Sequence, residues 1–161
     1  MIKLVVDLNI LRFFFHKLIF FNPRQVAVVI PRIVLREFQH QADLAKSFIM
    51  RTKKNDPRWN GQHQIWLCWK RTQTMVNRGV WEVAGLSGGF ITNIIQGVPN
   101  DWLVVKTALS IRGRNPNDWV VVATLDKQMS RAAKAQGLSN VHVYWDRFQN
   151  RKDFELPIRE A

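Results

Sequence analysis

Two apolar runs, Val26-Ala27-Val28-Val29-Ile30 and Trp119-Val120-Val121-Val122-Ala123-Thr124, constrain this chain more than any other feature. A strand with one face in water alternates apolar and polar residues. A β-branched run without alternation needs cover on both faces, which a parallel sheet between helices provides. Ile2-Lys3-Leu4-Val5-Val6 reads as a further short buried strand, Val80-Trp81-Glu82-Val83-Ala84 as another, and 141–145 as a last one. Helical spacing fills the intervals. An almost wholly apolar helix is predicted over roughly 9–21, stopped by Asn22-Pro23; another over about 32–50, where Val34, Phe38, Ala45 and Phe48 recur. A third spans about 62–78. Ser87-Gly88-Gly89 marks a loop, and a fourth helix is capped by Asn100, with Val104, Ala108 and Ile111 on one face. A last one covers 127–136 and ends at Gly137. Strands alternate with helices throughout, so the expected architecture is a parallel α/β sheet with helices on both faces.

That architecture gives meaning to four acids. Asp7 ends the first strand, Glu37 lies early in the helix after Pro31, Asp101 sits at the mouth of a helix, and Asp126 follows the 119–124 strand. In an open parallel sheet such positions meet at the carboxyl edge, where ligands bind. Each acid alone has an ordinary explanation: an Asx turn, a helix cap or a solvated helix residue. Together they would repel one another unless a cation sat among them, and oxygen-rich sites suit Mg²⁺ or Mn²⁺.

Charge points to the partner. The chain has 161 residues, with 24 Lys and Arg against 12 Asp and Glu, a net charge of +12. Such an excess is a statement about what the surface meets, and bases scattered over several segments favour nucleic acid over a membrane. A cation site in so basic a protein suggests phosphodiester chemistry, with Lys and Arg holding the backbone. Cys68 is the only cysteine, which excludes an intrachain disulfide and a cysteine-cluster metal site. The apolar stretch through Phe21 is interrupted by Asp7, Arg12, His16 and Lys17, which argues against a signal peptide or spanning helix, and a cytoplasmic location is expected.

Other chemistries find little support. His16, His40, His63 and His142 share no motif for metal-free acid–base cleavage. Gly88-Gly89 lacks the Lys and Ser or Thr of a phosphate loop, no Gly-x-Gly-x-x-Gly occurs, and Asp7-Leu8-Asn9 lacks the second Asp of a phosphatase pair. A receiver domain would want adjacent acids that the chain does not supply. Arg12 and His16, one turn apart beside Asp7, are candidates for substrate phosphate, as are Lys127 and Arg131 (with Lys134) on the helix after Asp126. Arg51, Lys53, Lys54 and Arg58 form a basic turn. Trp102 and Trp59 are the two tryptophans placed to stack on unpaired bases.

Val5-Val6-Asp7-Leu8-Asn9, Pro31 followed by Glu37, Asn100-Asp101-Trp102, and Val121-Val122-Ala123-Thr124-Leu125-Asp126 occur in the order of the four signature segments of PIN-domain ribonucleases, which the sequence resembles over residues 2–145. The resemblance implies a three-layer α/β/α domain, here residues 1–146 with a tail at 147–161, whose central, mainly parallel sheet of about five strands has the first strand in the middle. It also implies Mg²⁺- or Mn²⁺-dependent endonucleolysis of single-stranded RNA by metal-activated water. Asp7, Glu37, Asp101 and Asp126 would be the catalytic metal ligands, with Asn9 and Thr124 orienting ligands or the scissile phosphate. A small chain of this type further resembles the toxin halves of toxin–antitoxin pairs, which implies an antitoxin or a second copy as partner. Three positions depart from the family pattern. Leu8 stands in place of Thr, Leu125 in place of Asn or Asp, and Trp102 where some members carry another acid. Two polar groups are thereby lost near the metals, so the alternative is a catalytically weak PIN-like scaffold that binds RNA or protein.

Overall fold

The structure, a computed structural model, describes residues 1–85 and 100–142, with the backbone alone at residues 100, 101, 141 and 142. Five strands, β1 (Ile2–Val6), β2 (Val26–Pro31), β3 (Glu82–Ala84), β4 (Trp119–Thr124) and β5 (Ser139–His142), form one sheet in the order β3-β2-β1-β4-β5. Every pairing is parallel, and β1 lies in the middle, its Ile2 opposite both Val26 and Trp119. All six residues of β2 are buried, as are Leu4, Val5 and Val6 of β1, so these runs do have helices over both faces. The strand order reverses direction between β1 and β4, and in such sheets the crevice beyond the strand ends at that point is the usual ligand site.

The first helical segment differs from the sequence expectation. In place of one helix over 9–21 there are two short ones, α1 (Leu8–Phe13) and α2 (Phe15–Leu18), broken at Phe14 with φ −120° and ψ 21°. A straight helix this apolar would leave large side chains on more than one face. The break lets Phe14 and Leu18 enter the core and leaves Phe13 and Phe15 half-buried. Next come α3 (Arg32–Arg51) and α4 (Trp59–Asn77). The second starts three residues earlier than its spacing suggested. Asp56 accepts a hydrogen bond from the Arg58 amide at 2.9 Å, turning the chain, and Trp59 Nε1 donates to the Ile49 carbonyl at 3.3 Å. These contacts tie the α4 start to the end of α3.

After β3 the description resumes with α5 (Asn100–Arg114), and α6 (Lys127–Ala135) joins β4 to β5. Both α4 and α6 end on a left-handed glycine, Gly79 (φ 71°) and Gly137 (φ 72°). In each, the glycine amide and the next amide reach back to two unpaired carbonyls of the last turn: Gly79 to Val76 and Val80 to Met75, Gly137 to Lys134 and Leu138 to Ala133. The last strand begins at Ser139, two residues before the expected start. The loop read at Ser87-Gly88-Gly89, positions 143–145 of the expected last strand and the tail at 147–161 lie outside the described residues. No helix among the described residues is long and apolar enough to cross a membrane.

Candidate active site

Beyond the carboxyl ends of β1 and β4 lies a cleft of about 220 Å³. Asp7, Glu37 and Asp126 line it together with Asn9 and Gln41, over apolar Leu8, Val34, Val104 and Met129. In a chain of net charge +12, no Lys, Arg or His is among these lining residues. Three of the four acids singled out in the sequence therefore share one concavity. The fourth, Asp101, is in the first turn of α5, three residues before Val104; its side chain lies outside the described residues.

Local structure explains how two of these carboxylates are held. Asp7 directly follows β1 and caps α1, its Oδ1 accepting from the Ile10 amide at 2.9 Å, and it is only 6% exposed. Its Oδ2 accepts from the Thr124 hydroxyl at 2.6 Å. That hydroxyl in turn accepts from the Asp126 amide at 2.9 Å. Asp126 caps α6 through Oδ1, which takes the Gln128 amide at 2.7 Å and the Met129 amide at 3.3 Å. One threonine thus locks together two acids that follow neighbouring strands. The capping explanation and the functional one are not rivals here, because a carboxylate offers about four lone-pair positions and a cap fixes its direction without exhausting them.

Of the two roles expected of Thr124, orienting ligands or orienting the scissile phosphate, its contacts serve the first. Thr124 is wholly buried, with its hydroxyl engaged by Asp7 and Asp126, so it positions carboxylates and presents no surface to a substrate. Asn9, by contrast, is exposed at the cleft. Arg12 and His16 are not on one continuous helix, because the chain breaks between them, and neither lines the acidic cleft. Both face a neighbouring cleft against α4. Lys127 and Arg131 are exposed on α6, which starts at the acidic cleft. Trp102 is half-buried with Lys106 Nζ 5.8 Å from its ring centroid, and Trp59 stacks on His63 at 4.7 Å. Gln41 is the polar lining residue that sequence reading missed. Its signal was its place four residues after Glu37, hence on the same helix face.

The sheet order, the crevice at its reversal point and the paired carboxylates now meet a direct comparison. A family model for the PIN domain matches residues 4–143. The chain belongs to the PIN-domain family. PIN domains are generally nucleases, and they typically use divalent metals. Among curated proteins none matches. A solved structure, a domain of a functionally unknown protein from Methanocaldococcus jannaschii DSM 2661, superposes with a TM-score of 0.55 at 16% identity, covering 98% of this chain and 99% of that one. That likeness supports the fold.

Whether this PIN domain's cleft suits a divalent metal is decided by its donors. They are carboxylate and amide oxygens, the hard ligands Mg²⁺ and Mn²⁺ prefer. Among the described residues no three acids, histidines or cysteines converge into a ready-made cluster. Mg²⁺ does not require one, because it commonly keeps several waters and takes one or two carboxylates. The residues fit by donor type.

Proposed function

We propose that this PIN domain is an endoribonuclease that cleaves single-stranded RNA with Mg²⁺ or Mn²⁺. The observation that carries the reading is the cleft where Asp7, Glu37 and Asp126 meet with no basic residue among the described lining residues, in a protein otherwise rich in positive charge. Asp7, Glu37 and Asp126 would hold the cation, and Asp101 is added on its place in the first turn of α5, one helical turn before the cleft-lining Val104. A bound divalent cation supplies Lewis acidity towards the phosphodiester and towards attacking water.

The chain's own residues do the rest. Thr124 fixes the orientation of Asp7 and the backbone of Asp126, so the two acids present themselves at one separation. Asn9, exposed at the rim, is placed to donate its amide N–H to a phosphate oxygen, and Lys127 and Arg131 lie along α6 where a strand leaving the cleft would pass. The test is cleavage of an end-labelled single-stranded RNA in Mg²⁺ or Mn²⁺, with EDTA and Asp101→Asn run beside it. Cutting that needs both metal and Asp101, with RNA binding intact or tighter in the variant, supports the reading; cutting that survives both contradicts it.

A second reading, a PIN domain that binds RNA or a protein partner with little catalysis, is favoured by one observation. Leu8 lines the cleft with an apolar side chain where the family pattern has a threonine. Binding without cutting in the same assay selects it. An antitoxin or a second copy of the chain would be its protein partner.

A further inference from the structure

A second cleft is larger than the acidic one. It lies between α1–α2 and α4, has a volume of about 640 Å³, and is walled by Phe13, Phe15 and Ile65 with Arg12 and Arg71 beside them. A nucleotide-sized ligand needs a concavity of roughly this scale, mostly apolar with a few placed polar groups. The two clefts share a wall, because Arg12 donates to Gln41 Oε1 at 3.3 Å and Gln41 lines the acidic cleft.

Arg12 is the informative residue. It is half-buried, its guanidinium 5.1 Å from the Phe13 ring centroid, and burial pushes its pKa down. Its hydrogen-bond partner is a neutral amide, and among the described residues no carboxylate pairs with it. A partly desolvated cation with no carboxylate partner among the described residues, favoured only by a smaller electrostatic pull from Cys68, is costly, and an incoming phosphate would relieve that cost. Arg71, exposed on α4 and also facing the cleft, adds a second cation.

We propose that this cleft is a subsite for one unpaired nucleotide of the RNA strand adjoining the acidic cleft, with its phosphate on Arg12 and Arg71 and its base against Phe13, Phe15 and Ile65. The proposal rests on the reading of the chain as an RNA nuclease and supplies a physical reason for single-strand preference. A base held in a duplex cannot enter the cleft, whereas an unpaired one gains apolar contact there at no cost in pairing.

Cys68, the only cysteine in the chain, is half-buried in the same cleft and reports its occupancy. The experiment measures alkylation of Cys68 by N-ethylmaleimide in EDTA, where nothing is cut, with and without an oligouridylate of about ten residues. At saturating RNA the rate should fall at least about fivefold as the seated base covers the thiol. Oligouridylate annealed to oligoadenylate should protect little. Independently, Arg71→Ala should reduce the salt dependence of binding by about 0.7 in log–log slope, the loss of one single-strand phosphate contact. Arg24→Ala removes the same charge at an exposed position that is not among the residues lining the cleft, and should leave that slope unchanged. RNA that binds and is cut while Cys68 reacts at its free rate overturns the subsite and leaves the nuclease reading standing. Protection without cutting in metal does the reverse. Absence of any RNA binding, or protection that grows with protein concentration and needs no RNA, overturns the subsite.

Discussion

The carboxyl edge of β1 and β4 and the hairpin joining α3 to α4 are built by opposite means. At the sheet edge the decisive contact, Thr124 to Asp7, joins residues 117 apart in the chain. At the hairpin the contacts are local: Arg58 pairs with Asp56 two residues away at 3.1 Å, lies 5.0 Å from the Phe48 ring centroid, and Lys54 lies 5.6 Å from that of Trp59. A site assembled through the core has one geometry and depends on every member. A surface assembled from neighbours on one loop is redundant, and exposed pairs there are worth little individually. Chemistry should therefore be fragile at the first region and graded at the second.

The largest effect that would break this contrast is at the acids themselves. Asp7→Asn and Asp126→Asn should each reduce cleavage by more than about 100-fold, beyond the usual loss for residues that merely support metal ligands. Retained cutting in either variant would remove that acid from the site. Next comes the residue that holds them. Thr124→Val should weaken Mn²⁺ binding about 10- to 100-fold, and lower stability by about 1.5–3 kcal/mol through loss of a buried hydrogen bond to a charged group. Thr124→Ser, which keeps the hydroxyl, should recover most of the metal affinity. A denaturant titration beside a Mn²⁺ titration separates the two losses, and equal behaviour of Val and Ser would deny the hydroxyl its role.

Smaller effects sharpen the contrast. The double change Leu8→Thr with Leu125→Asn should raise cleavage if the missing polar groups limit the site; an unchanged rate would show that Leu8 at the cleft costs nothing. At the hairpin, Arg58→Ala should leave the denaturation midpoint almost unchanged, as for an ordinary surface position. Its clear signature lies in a titration. The Arg58 hydrogen bonds hold the Asp56 carboxyl below its ordinary pKa, so Asp56 protonates at lower pH in the parent than in the variant. The stabilisation is present above the ordinary carboxylate pKa and fades as pH falls through the lowered value. Carboxyl NMR shifts of Asp56 that coincide in parent and variant would contradict it.

What the sequence made legible, and what it hid, divides along the same line. The buried strands were readable because β2 has no polar residue to turn outward, and the end of α6 because Gly137 takes a backbone conformation other residues avoid. Asp7 and Asp126 were readable because strand ends in a parallel sheet converge. The break at Phe14 was not, since it answers to how much aromatic bulk the core accepts on each side, a quantity no local spacing encodes. Nor was the pairing of Thr124 with Asp7, because it depends on β1 and β4 being neighbours in register, with Val6 opposite Ala123. Arg12 was read as a phosphate contact near Asp7. Its place in a separate cleft, tied to Gln41, follows from the packing of α1 against α3 and α4.

Binding of Mn²⁺ to the intact chain, followed by titration calorimetry without RNA, tests most directly whether Asp7 and its neighbours form a site for a hard divalent cation. Binding should be saturable, competed away by Mg²⁺, removed by Asp7→Asn and weakened by Thr124→Val. Absence of saturable binding, or binding that Asp7→Asn leaves unchanged, would contradict it.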